Sequence, residues 1–210
     1  MKETALYRAK WIRQNGTKSI AEVVREFPHL LSTPGMISQD FDQVHGETGM
    51  KLFESWAAFF AARILRLAVK EEKFNQPLED IPQVYRVGQK VFRPSIDEAS
   101  KAFIELQPIG TNVVEFLRRT ELTKPFPFVL AMGNIRHISQ AFVILNGQAL
   151  EQTTLLSAVD VCFKAFYVFD VNFPRQCAST WEFLQTVVFQ MEGNESFAIR
   201  FLRCSLHAEE

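Results

Sequence analysis

Net charge is almost absent from this chain: 23 Lys+Arg against 24 Asp+Glu leave −1 over 210 residues at pH 7. No whole-molecule field therefore steers it onto nucleic acid or anionic lipid. Cysteine is scarce, with 3 residues at irregular spacing, which excludes a disulfide framework and predicts free thiols in a reducing compartment, cytoplasm or nucleus. Long apolar runs are missing as well. The longest, Trp56 to Ala62, falls far short of the ~18 to 20 residues of a membrane span, so no membrane partner is expected. The opening MKETALYRAKWIRQ is charged throughout and lacks the apolar stretch of a secretory signal. Asn15-Gly16-Thr17 and Asn194-Glu195-Ser196 then match the glycosylation pattern by chance. Tyr and Trp are few, 3 each against 20 Phe, which directs the aromatic content toward packing. The Rossmann glycines, the P-loop, HExxH and GxSxG are all absent, and with them the commonest signatures of cofactor and hydrolytic chemistry.

What is present is a globular composition, 47% hydrophobic and 22% charged, at a length that buries roughly 70% of the unfolded surface. Ser19 and Glu22 form a capping box, after which Ile20, Val23, Val24 and Phe27 follow the spacing of one helix face until Pro28. Thr33 and Pro34 can open a second helix lined by Ile37, Phe41 and Val44 and ended by Gly46. From Met50 to Lys70 the stripe Phe53, Trp56, Phe60, Ile64 and Leu67 predicts a third.

Periodicity vanishes between Asn75 and Pro94, where prolines and Gly88 punctuate the chain. A helical unit over 1–74, a linker or surface loop over 75–94 and an α+β unit over 95–210 are the expected organisation. In the last, Ser95 and Glu98 cap a helix through Phe103 and Leu106, and Thr111 caps a short helix through Arg119. Two apolar runs, Phe128 to Met132 and Ala141 to Leu145, read as strands. Asn146-Gly147 then supplies a type I′ turn, giving a hairpin over 141–151. Both faces of the strand before that turn are apolar, so the sheet should be covered on both sides. Helices from Thr153 or Thr154 to about Phe169, and along Trp181, Leu184, Val188 and Met191, complete the unit. The fold class expected is α+β, a helical N-terminal unit followed by a short antiparallel sheet with packed helices.

The blocks SIAEVVREFPHLLSTPGMISQDFDQVHG and PFPFVLAMGNI, with SQAFVILNGQAL and AVDVCFKAFYVFDVNFPRQCASTWEFLQTVVFQM, resemble segments of the animal sterile alpha motif domain-containing protein three-like group. They span residues 19 to 46 and 125 to 191. The chain departs from the group in the motif that names it, since the residues before Ser19 are too few to hold one. The resemblance implies an architecture shared with a group that is abundant and variable in fish and invertebrate genomes and mobile-element-like in copy number. It implies no catalytic residues.

Candidate sites follow from this pattern. The helix from Leu155 to Phe169 carries only Ser157, Asp160 and Lys164 as clearly polar side chains, so most of its circumference must be covered. The sheet and the Trp181 helix can cover two sides. Phe163, Phe166, Tyr167 and Phe169 are the residues expected to meet either the N-terminal helices or a protein partner, a second copy included. The first 18 residues carry a net +4, and Arg8, Lys10, Trp11, Arg13 and Lys18 have the basic and aromatic composition of a segment that tracks a nucleic-acid backbone. A solvated amphipathic helix start, with Leu6 and Trp11 covering the core, explains them as well, and the neutral net charge favours that reading. Cys162, Cys177, Cys204 and His207 lack the paired knuckles of a zinc site. Cys177, at a helix start with His137 or Asp170 as a conceivable base, has no oxyanion motif beside it. Asp40 and Asp42 read as solvated charges around Phe41. The expected function is a non-enzymatic protein-interaction or assembly module without metal or cofactor. The alternative is a mobile-element-derived nucleic-acid-binding or regulatory protein.

Overall fold

The computed structural model describes residues 2–16, 19–73, 94–120 and 123–208. The expected linker lies outside them except for Pro94. The chain folds into two units, each assembled from two separate stretches: 1–46 with 100–174, and 47–99 with 175–210. This division differs from the contiguous 1–74 and 95–210 units that the loss of periodicity suggested. The reason is that composition marks where elements stop but not which elements pack together.

The first unit is built on a four-stranded sheet of order β1-β2-β3-β4: β1 (Ile104–Gln107), β2 (Phe128–Asn134), β3 (His137–Leu145) and β4 (Gln148–Gln152). The fold is α+β, as expected. The sheet is mixed, however, because β1 pairs with β2 in parallel while the other pairs are antiparallel. The Ser95–Glu98 capping box does open helix α7 (Ile96–Phe103), but the helix stops at Phe103 instead of continuing through Leu106. Ile104-Glu105-Leu106-Gln107 alternates apolar and polar with period two, and Pro108 cannot donate to a helical carbonyl, so the strand conformation wins.

Asn146 and Gly147 both take positive φ, 50° and 69°, and join β3 to β4 through the two-residue turn expected. Alternation along β2 and β3 sends Phe128, Leu130, Met132, Phe142 and Ile144 to one face, where Phe116 of α8 (Val113–Thr120) packs on them. Val129, Ala131, Ala141, Val143 and Leu145 are equally buried and turn the other way, toward α9 (Leu155–Val168), which packs on β2 and β3. Helix α9 starts where the Thr154 hydroxyl accepts a hydrogen bond from the Ser157 N–H.

Beyond α9 lies a further layer. Helix α4 (Met36–His45) packs on α9, and α1 (Ala5–Gln14) packs on α4. Gly35 at φ 80° precedes α4 and Gly46 at φ 60° ends it, so the entry is made by glycine rather than by the Thr33 hydroxyl. Helix α2 (Ile20–Glu26) begins with the predicted box, Ser19 N–H donating to Glu22 Oε2 and Glu22 N–H to Ser19 Oγ, and α3 (His29–Ser32) links it to α4.

The second unit holds the helix predicted over 50–70, with a change of register inside it. Helices α5 (Lys51–Ser55) and α6 (Ala61–Lys70) are joined by a π turn, Trp56–Phe60. One extra residue in the turn rotates everything before it relative to everything after it. Leu52 consequently shares the buried face with Phe60, and Phe53 is 38% exposed. A second π turn, Leu184–Val188, follows α10 (Ala178–Phe183), and the Phe60 and Phe183 rings meet edge to face at 5.9 Å. Helix α11 (Phe197–Ala208) packs on α6 and α10.

Candidate functional site

The aromatic residues expected to form a contact surface on α9 lie in the core of the first unit. Phe163, Phe166 and Phe169 are buried and Tyr167 is half-buried. Their cover comes from inside the unit: Phe41 of α4 stands 6.1 Å from Phe163 and 5.6 Å from Tyr167, ring to ring, and Phe173 lies 5.1 Å from Phe166. The side of α9 that either the N-terminal helices or a partner had to fill is filled by α4, which removes this face as an interaction surface.

The polar residues of α9 are the less expected finding. Asp160 and Lys164 are each 2% exposed and pair at 2.8 Å between Oδ2 and Nζ. Asp42 of α4 brings a second carboxylate to 3.7 Å from the same ammonium, and the Phe41 ring centre lies 5.7 Å from it. Asp160 Oδ1 has no hydrogen-bond partner among the described residues. Burial pushes the Asp160 carboxyl up to about 6, with the Lys164 ammonium pulling it back and the Asp42 charge adding to the rise. Burial also raises the Tyr167 phenol, and burial with the Arg13 charge lowers His45.

A second buried pair joins α1 to α4. Arg8 donates from Nε and Nη2 to the two Asp40 oxygens at 2.6 Å each, and from Nη1 to the Thr4 hydroxyl. Asp40 is thus no solvated charge. Nor is Arg8 presented to a phosphate, since its planar fork already engages a carboxylate in bidentate fashion. Of the other basic-segment residues, Lys10 and Arg13 are exposed, Trp11 packs edge to face on Phe27 at 5.1 Å, and Lys18 lies outside the described residues.

Sequence reading missed both pairs because neither Arg8 with Asp40 nor Asp42 with Lys164 has any signature in spacing. The i, i+4 placement of Asp160 and Lys164 was the one available signal. Between α1, α4 and α9 a cavity of about 20 Å³, bordered by Arg13, Asp40, His45 and Tyr167, has room for a single water. A larger cavity of about 160 Å³ is lined chiefly by Ile20, Leu117, Phe126, Phe128 and Ile144. At its edge the Lys124 ammonium binds the Glu105 carboxylate and the Lys101 carbonyl.

Cys162 and Cys177 are buried and Cys204 is exposed. Among the described residues no cluster of three or more His, Cys, Asp or Glu side chains could hold a metal ion. No helix among them is long and apolar enough to cross a membrane.

Among the described residues of the second unit the most exposed aromatics are Phe197 and Phe201 of α11, 79% and 60% accessible. One turn apart, they share a face, and Cys204 and Ala208, both exposed, continue it. The opposite face of α11 is buried through Ile199 and Leu206. On α6, Leu65 and Val69 are likewise exposed one turn apart. No family model, curated protein or solved structure matches the chain.

Proposed function

We propose that this chain is a non-enzymatic protein-interaction or assembly module whose contact surface is the outward face of α11. The observation that carries the reading is the pair Phe197 and Phe201, exposed on a helix whose other side is already buried. Two large aromatics held on a fixed helix are the kind of residue that dominates the binding energy of protein interfaces. Leu65 and Val69 of α6 add apolar surface in the same unit. The buried charges favour no catalysis, because Arg8 and Lys164 each face a carboxylate of α4 across a helix seam and the cavity beside Asp40 admits one water. A reducing compartment, cytoplasm or nucleus, belongs to the same reading and is supported by the three free cysteines.

Kinship with the sterile alpha motif domain-containing protein three-like group is part of the proposal. It is supported by residues 19–46 and 125–174 of the resembling blocks falling in one unit, while residues 175–191 of the same blocks belong to the other. The test is affinity recovery of the tagged chain from native tissue with nuclease present. Proteins recovered with the wild type, a second copy included, should be lost with Phe197→Ser/Phe201→Ser, and equal recovery by the two forms overturns the reading.

A further inference from the structure

We propose that α11 is a self-association seam, in which the stripe Phe197, Phe201, Cys204 and Ala208 packs antiparallel against the same stripe of a second copy of this chain. The inference rests on the interaction reading above and names its partner. Steps of 4, 3 and 4 residues are those of a helix seam that keeps facing one neighbour. The helix is not merely apolar all round: Ile199 and Leu206, seven residues apart, bury its inner side within the unit, so the outward stripe is a separate face.

A two-fold axis passing between positions 202 and 203 sets Phe197 against the second copy's Ala208 and Phe201 against its Cys204. Every layer then joins one large and one small side chain, the complementarity that interlocking helices need. A parallel pairing would stack like on like.

The helix dipoles agree with the antiparallel sense. The first turn of α11 has no acidic residue, and Arg200 close behind it opposes the positive end of its own helix dipole. In the antiparallel pair the second copy's last turn, the negative end of its dipole, comes beside Arg200. In this register the two Arg200 residues are offset by roughly 7.5 Å along the seam, so their mutual repulsion opposes the pairing. The exposed parts of four phenylalanines come to on the order of 500 Å², under half of the ~1,200 Å² at the low end of stable interfaces. The dimer is therefore weak and concentration-dependent.

Size exclusion with light scattering on the full chain tests this. The mass should rise from monomer toward dimer across the micromolar range and above. Phe201→Ser should weaken association by at least about tenfold while leaving the melting curve in place, because the side chain is exposed. Phe201→Cys should weaken it too, and Phe201→Cys/Cys204→Phe, which exchanges the members of the central layers, should return it to within about threefold of wild type. A monomer at every concentration, a Phe201→Ser form that dimerises like the wild type, or an exchange variant no better than Phe201→Cys overturns the seam. If the chain is monomeric while the tissue recovery still depends on Phe197 and Phe201, only the second copy is wrong as occupant; if both fail, the interaction reading falls as well.

Discussion

At the scale of single residues, the buried Asp160–Lys164 pair is the most consequential feature of the first unit. Removing one partner leaves an uncompensated charge in the α4–α9 seam, so Lys164→Met alone should cost about 3–5 kcal/mol. Lys164→Met/Asp160→Leu, which replaces both ends with apolar groups, should recover most of that loss. Urea midpoints of the two variants check the contrast. The pair also sets a pH dependence. Asp160 titrates near 6 in the fold against 3.8 for the unperturbed carboxyl, so between those values the native state holds more protons than the unfolded one. Its contribution is fully present below about pH 4 and is lost as pH rises through 6, up to about 3 kcal/mol. His45, lowered by burial, works in the opposite sense, losing stability as pH falls below its ordinary value. The difference in unfolding free energy between wild type and Asp160→Asn, followed from pH 4 to 7, isolates the carboxylate; a difference that stays flat would refute the assignment.

Individual elements show how far a local pattern holds. The Asn146-Gly147 turn needs positive φ at both positions, and Gly147→Val should cost about 1–2 kcal/mol. Gly133 is more demanding. It sits at φ 140° beside the bulge between Met132 and Gly133, where an added Cβ would lie 2.2 Å from the His137 carbonyl oxygen. Gly133→Ala should therefore cost about 3 kcal/mol or more by strain at a special backbone position, a larger loss than at Gly147, with chemical denaturation as the measure. In the α5–α6 helix the π turn makes a prediction that an unbroken α-helix would reverse. Leu52→Ala should cost about 2–5 kcal/mol and Phe53→Ala less than about 1 kcal/mol. A larger loss at Phe53 than at Leu52 would restore the uninterrupted stripe.

For the whole molecule, the interleaving of stretches matters most. Because α4, with α1 packed on it, covers α9 from a distant part of the chain, a fragment of residues 95–210 lacks the layer that covers Phe163 and Tyr167 and that brings Asp42 to Lys164. It should expose an apolar patch and a half-paired buried cation, and should aggregate or melt without cooperativity in isolation. Adding residues 1–94 as a second chain should restore a cooperative transition. A fragment 95–210 that is soluble, monomeric and cooperatively folded alone would show that the α4–α9 seam contributes little.

The sequence by itself determined the local events: the capping boxes at Ser19 and Ser95, a helix start at Thr153 or Thr154, the positive-φ turn at Asn146-Gly147 and a sheet apolar on both faces. Each depends on groups a few residues apart, or on a period that repeats along one segment, and so can be read from neighbours in the chain. Tertiary structure alone decided that Ile104–Gln107 joins the sheet in parallel, that a π turn exchanges Leu52 for Phe53, and that α4 rather than a partner lies on α9. It also decided that Arg8, Asp40 and Lys164 are buried pairs instead of surface charges. A charged side chain carries no mark of its partner, since Arg8 and Asp40 meet only after the chain has brought α1 onto α4. The exposed face of α11 belongs with these decisions. Phe197 and Phe201 have the composition of core residues, and only the packing of Ile199 and Leu206 on the other side leaves them facing outward.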